Sequence, residues 1–210
     1  MSALRQNFRS WWQPPKRIAD REAERSVTFL ELFYDLVYVV IVAELAHALA
    51  GDVSWAGIGH FAFLFIIVWW AWLNGSLYHD LHGNNDIRTR VFTFLQMGSV
   101  AAMAVFAHDA MGASSTGFAL AYAAFQFILL ILWWRTGVHD PAHRPLSQPY
   151  AVVYFITTLL FAGSVFVIAP LRFYLWGVAV LASLQMPLYM STLGRNNPAI
   201  QAQIDLSTAV

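Results

Sequence analysis

VSWAGIGHFAFLFIIVWWAWLNGSLYH, residues 53–79, contains no Asp, Glu, Lys or Arg. A helix needs roughly 17–25 apolar residues to cross a bilayer, so this stretch reads as a membrane span. Four more charge-free stretches follow, at 91–108, 110–134, 145–171 and 173–194 of the 210 residues. Hydrophobic residues make up 59% and charged residues 11%, against ~45–50% and ~25% for soluble domains, which argues against a water-soluble fold. Twelve basic and twelve acidic side chains leave no net charge, so nothing points to a nucleic-acid partner. With no cysteine in the chain, disulfides, thiolate metal sites and Cys nucleophiles drop out.

The expected fold class is all-α, a polytopic transmembrane bundle of about six membrane-spanning helices. They are placed at about 27–50, 56–78, 90–110, 117–134, 150–169 and 171–192, within a domain covering 27–192. Residues 1–26 hold Arg5, Arg9, Lys16, Arg17, Arg21 and Arg25 beside Trp11, Trp12 and Pro14-Pro15, a basic juxtamembrane arm suited to lipid headgroups. Counting Lys and Arg by side gives eleven against Arg172 alone, so both ends are expected in the cytoplasm and the protein in the inner membrane. A cleaved signal peptide is the rival reading of the first helix, because Ala48-Leu49-Ala50 resembles a cleavage site, but Glu31, Asp35 and Glu44 interrupt its apolar core. Residues 193–210 form a cytoplasmic tail or the start of a further helix, since Asn197-Pro198 looks like an N-cap followed by proline at the first helical position.

The first helix is anomalous because it carries Glu31, Asp35, Glu44 and His47. A carboxylate near mid-membrane costs about 2.5–3.5 kcal/mol on the insertion scale. Asp35 lies roughly 5 Å from a midplane set near Tyr38, too deep for its short side chain to reach water. Glu31 and Asp35 share a face with Tyr34 and Tyr38, whereas Glu44 and His47 face nearly the opposite way. The helix is therefore expected to run through the middle of the bundle. Its acids either bind an ion or proton, or only pin the packing by accepting hydrogen bonds.

Other spans offer polar partners at similar depth: Asn74, Gln96 and Gln185, with Thr157 and Thr158. Together with Glu31, Asp35 and Tyr38 they would form a polar layer in the inner half, and Pro187 should kink the last helix beside it. Near the outer surface Glu44, His47, His60, His108 and Asp109 could pass protons. Metal or haem binding by these histidines is a weaker reading, and no metal and no cofactor is expected. His79-Asp80-Leu81-His82 and the His139–His143 run are read as solvated loops. Trp69, Trp70 and Trp72 lie too deep for all to be belt residues, so they fill the core or wall a cavity, Trp70 being assigned to the site wall. Gly98, Ser99, Ala101, Ala102 and Ala104 permit close helix contact.

Several classes are excluded. The single lysine, Lys16, is in the arm, so no retinal Schiff base can form in the bundle. No span has a row of arginines, and there is no phosphate loop, Gly-x-Ser-x-Gly or His-Glu-x-x-His. An enzyme is not expected.

Glu31-Leu32-Phe33-Tyr34-Asp35-Leu36-Val37-Tyr38-Val39-Val40, followed by Ala43-Glu44-Leu45-Ala46-His47, resembles the opening signature of the bacterial low temperature requirement protein A family. Trp69-Trp70-Ala71-Trp72-Leu73-Asn74 with Tyr78, Leu95-Gln96-Met97, and Arg172-Phe173-Tyr174-Leu175-Trp176 are similar to its later helices. The resemblance covers about residues 25–190. It implies a polytopic bacterial membrane protein with no settled activity, usually longer, with a second hydrophobic half whose Glu-Arg-Phe-Gly and Leu-Gly-Glu runs do not occur here.

The functional expectation is a proton- or cation-coupled transporter or channel. Glu31, Asp35, Glu44 and His47 would bind the ion or proton, and Tyr34, Tyr38, Trp70, Asn74, Gln96 and Gln185 would shape the site. The alternative is a membrane scaffold or stress-adaptation factor with a purely structural polar layer. Expected partners are the lipid bilayer, an unidentified ion or small molecule, and either a second copy or a missing carboxyl-terminal half.

Overall fold

The computed structural model describes residues 29–82, 87–141 and 144–196. Seven helices follow one another: α1 (Phe29–Gly51), α2 (Trp55–His82), α3 (Ile87–Ala107), α4 (Ser115–His139), α5 (Arg144–Ser164), α6 (Leu171–Leu184) and α7 (Met186–Asn196). No strand occurs among the described residues. A chain in hydrocarbon must satisfy its own peptide groups, and unbroken helices do so. Five stretches are long and apolar enough to cross a membrane: α2, α3, α4, α5, and α6 with α7 taken together. The helical, multi-pass reading of the sequence therefore stands, with five of the six expected spans; α1, expected as the first, is not among them, and Glu31, Asp35 and Glu44 interrupt its apolar run. The basic arm, Asn197-Pro198 and the tail beyond lie outside the described residues.

α1 does not run through the middle of the bundle. It packs on α2 and α3 through Tyr34, Tyr38, Ile41 and Leu45, and leaves Leu32, Phe33, Leu36, Val39 and Val40 exposed on its other side. The reason lies in that exposed row, which is apolar enough to be solvated by lipid and so requires no protein cover. The central helix is α4, which contacts α2, α3 and α5. Its most apolar window is 61% buried, the largest share of the five spans. α4 is apolar all round, as a wrapped helix should be.

The loops are set by short side-chain caps. Ser54 accepts the Gly57 N–H at 3.0 Å, a hydroxyl cap for the start of α2. Asp109 accepts the Ala113 N–H at 2.8 Å and closes the turn between α3 and α4. Arg172 performs the corresponding task between α5 and α6. Its Nε donates to the carbonyls of Ser164 (3.1 Å) and Val167 (3.2 Å) and its Nη2 to that of Val165 (3.2 Å), while Nη1 donates to Ser115 Oγ on α4. A guanidinium thus caps the carbonyl end of α5, where the helix dipole favours positive charge. Trp176 lies beneath, wholly buried, stacked on Phe161 at 5.5 Å and donating to Ser164 Oγ at 2.8 Å.

Two boundaries differ from the sequence reading. α2 continues to His82, so His79 and His82 are helical and not loop residues, and His82 is buried. Its ring meets Tyr78 at 5.4 Å and Trp133 at 5.6 Å, and these aromatic contacts carry the helix beyond the charge at Asp80. The last predicted span is interrupted at a single residue next to the expected kink: α6 ends at Leu184 and α7 begins at Met186, while Gln185 between them keeps helical backbone angles (φ −78°, ψ −12°). Pro187 lacks the N–H that a continuous helix would use, which accounts for the break at Gln185.

Candidate functional site

A buried polar layer forms where α1, α2, α4 and α5 meet. From α1, Tyr34 and Tyr38, one helical turn apart, pair their hydroxyls at 3.1 Å. Gly75 of α2 makes room for them: a Cβ there would collide with the Tyr34 hydroxyl. One residue earlier, Asn74 donates to the Trp70 carbonyl at 2.7 Å and accepts from Tyr154 of α5 at 2.6 Å. On α4, Gln126 donates to the Tyr122 hydroxyl at 3.0 Å. The six side chains Tyr34, Tyr38, Asn74, Tyr122, Gln126 and Tyr154 are all buried. They form three hydrogen-bonded groups, Tyr34 with Tyr38, Asn74 with Tyr154, and Tyr122 with Gln126, and in a low-dielectric interior each bond fixes its members.

Two further members of the sequence-predicted site are buried with side-chain polar atoms that lack hydrogen-bond partners among the described residues. Gln96 of α3 is fully enclosed, and neither its Nε2 nor its Oε1 has a hydrogen-bond partner. Trp70 is buried, with its Nε1 likewise unpartnered. A buried amide left unsatisfied costs about 1–3 kcal/mol per group, so these atoms mark a place where a water, ion or polar solute would be stabilised.

Asp35 sits at the edge of this layer, exposed on the flank of the bundle. It accepts a hydrogen bond from Trp72 Nε1 at 2.8 Å, which ties α1 to α2. Glu31 is partly buried. Glu44 and His47 are exposed near the other end of α1. There the His47 ring meets that of His108 at 6.2 Å, so two members of the expected outer cluster do come together. His60 is exposed on α2, and no group of three metal-ligating side chains occurs among the described residues.

Gln185 is placed apart from the layer. It is exposed at the α6–α7 break and lines a groove with Gln148, Pro149 and Tyr189. Thr157 and Thr158 turn back on their own helix, both donating to the Tyr154 carbonyl, at 3.2 and 2.6 Å. Tyr122, Gln126 and Tyr154 were missed by the sequence reading. The available signal was a pair of polar groups four residues apart, Tyr122 and Gln126, inside a span without charge.

Towards the carboxyl end of α2, His79 pairs its Nδ1 with the Gly75 carbonyl at 2.7 Å and its Nε2 with Thr93 Oγ1 at 2.8 Å. Its ring lies 5.4 Å from that of Tyr34. The polar layer therefore continues by ring contact towards the α2–α3 end of the bundle.

Comparison with known proteins agrees with this picture of a helical membrane protein. The family model of the bacterial low temperature requirement A protein (LtrA) matches residues 26–203. The uncharacterized protein RA0937 of Rhizobium meliloti (strain 1021) is 31% identical over 176 residues, covering 78% of this chain and 40% of that protein. The chain thus spans less than half the length of this curated relative. No solved structure matches.

Proposed function

The chain belongs to the bacterial low temperature requirement A protein family, and from that premise we propose that it handles protons or a small cation in the inner membrane, as part of a transporter or channel and not as an enzyme. The ion-handling element is the rim of α1, with Asp35 and Glu31, backed by the buried layer of Tyr34, Tyr38, Asn74 and Tyr154 and by Gln96. Glu44 and His47 provide the exit towards the outer face. Both ends of the chain lie in the cytoplasm in this scheme, which the distribution of arginines supports. An unidentified ion or small molecule is the cargo.

One observation carries the reading: Gln96, fully buried with both amide atoms unpartnered. A carbonyl oxygen and an N–H without partners in a protein interior cost stability, and a bound water or polar solute would satisfy them. Asp35 adds to it. Its acid costs about 2.5–3.5 kcal/mol within the span, and one hydrogen bond to a charged group returns about 1.5–3 kcal/mol, so packing alone gains little from it. A scaffold reading has an observation of its own, the Trp72–Asp35 bond joining two helices.

Reconstitution into liposomes separates the two. Asp35→Asn retains an acceptor for Trp72 but cannot ionise. Proton- or cation-driven flux should fall at least tenfold in this variant while insertion and thermal stability hold. Unimpaired flux, or no flux from the unaltered chain under any imposed gradient, rejects transport through this element.

A further inference from the structure

We propose that His47 of α1 and His108, the residue after α3, hold a divalent transition-metal ion of the zinc class between them and so fasten α1 to the rest of the bundle. Their rings meet at 6.2 Å, centre to centre, and both are exposed. Among the described residues neither ring has a hydrogen-bond partner, so their nitrogens are available as ligands. The site does not rest on ion transport, since it concerns an ion that stays bound.

Distance decides whether one ion fits. A Zn–N bond is about 2.0–2.1 Å and the centre of an imidazole lies about 1.1 Å beyond its nitrogen, so two imidazoles on one ion have centres about 5.2 Å apart at the tetrahedral angle and about 6.3 Å apart in line. The observed separation falls inside this range. Rotation of two exposed rings closes the remaining distance to a tetrahedral arrangement with no movement of the backbone. That backbone is held on both sides, because α1 packs on α3 and Leu45 and Ala107, beside the two histidines in sequence, are buried. The turn that follows His108 is closed by the Ala110 N–H on the Ala107 carbonyl at 3.3 Å and by Asp109 on the Ala113 N–H at 2.8 Å. Ligands already in place lose little freedom on binding.

The surroundings select the ion. Glu44, one turn before His47 on the same side of α1, is exposed and makes the local field attractive to a cation. Asp109 is occupied by its own turn, and no third ligand completes the set among the described residues, so water fills the other positions and the affinity is that of a two-ligand site. Imidazole nitrogen favours zinc, copper and nickel over magnesium and calcium, which take oxygen. His108 ends the charge-free stretch 91–108, and Asp52 and Asp109 stand beside the ends of α1 and α3, which gives a hydrated ion a polar approach. α1 rests on the bundle by one face only, and a metal tie near its carboxyl end restricts how far it can lift.

The test uses the full chain, free of any histidine tag, in a neutral maltoside detergent. Zinc chloride and magnesium chloride are titrated separately by calorimetry and thermal unfolding. Zinc should bind at one ion per chain and raise Tm, and magnesium should do neither. His47→Ala and His108→Ala should each need at least tenfold more zinc for half the shift, and the double variant should be no weaker than either alone, because both remove the same ion. His139→Gln, exposed on α4, should behave as the unaltered chain. Spin-echo spectroscopy with copper(II) as the probe should count two coordinated imidazoles in the unaltered chain and one in each single variant. A single imidazole in the unaltered chain, additive losses in the double variant, an equal response to magnesium, or no zinc binding overturns the proposal.

Discussion

Replacing Gln96 by methionine, which has similar volume and no amide, tests the central feature of the proposed site. Gln96 is completely enclosed and its two polar atoms lack partners. Each such atom costs about 1–3 kcal/mol, and an unfolded chain in a micelle also finds partners for its amides, so the net gain on removing both is on the order of 2 kcal/mol. For a domain of this size 1 kcal/mol moves Tm by roughly 2–4 °C, giving an expected rise of about 4–8 °C. The assay is thermal unfolding in detergent followed by tryptophan fluorescence, with liposome flux measured in parallel. Higher Tm with lost flux is the signature of a polar group kept for use at the expense of stability. A lowered Tm refutes the reasoning, because it would mean that the amide is well satisfied and that its removal breaks contacts. Higher Tm with unchanged flux would assign Gln96 to packing.

Two further substitutions probe how the site is held. Arg172→Gln removes donors to three carbonyls of the α5 end and to Ser115, and should cost on the order of 3 kcal/mol, with Arg172→Lys intermediate; equal Tm in all three proteins would remove the clamp from the account. Gly75→Ala should cost about 1–3 kcal/mol through overlap with the Tyr34 hydroxyl, and adding Tyr34→Phe should recover part of the loss, since the combined variant no longer carries the clashing oxygen. Additive losses in the pair would show that the two residues do not meet as described.

Charge-free length made the spans legible, because a bilayer sets both the minimum apolar run and the demand for helix. Burial was legible in part. Of the residues expected in one layer, Tyr38, Asn74 and Gln96 are buried, whereas Asp35 and Gln185 are exposed. Lateral position was not. Deep acids argued for a central first helix, yet one side chain on α2, Trp72, is enough to hold Asp35 at a flank whose neighbours are aliphatic. The carboxyl-terminal boundary of α2 was misplaced because His79 and His82 read as polar, whereas their rings pack as aromatics against Tyr34 and Trp133. Tyr154 escaped notice because its importance depends on Asn74, eighty positions away, and such a pairing leaves no local pattern.

The central position of α4 bears on how the molecule is made. Helices emerge in chain order, so α1, α2 and α3 reach lipid before the element that α2 and α3 enclose exists. Their inward surfaces, Ile67, Met103 and Val100 among them, must be shielded by translocation machinery or bilayer until residue 139 has been synthesised. Nascent chains arrested just after α3 should therefore be protease-sensitive and chaperone-bound, and protection should arrive in one step with α4.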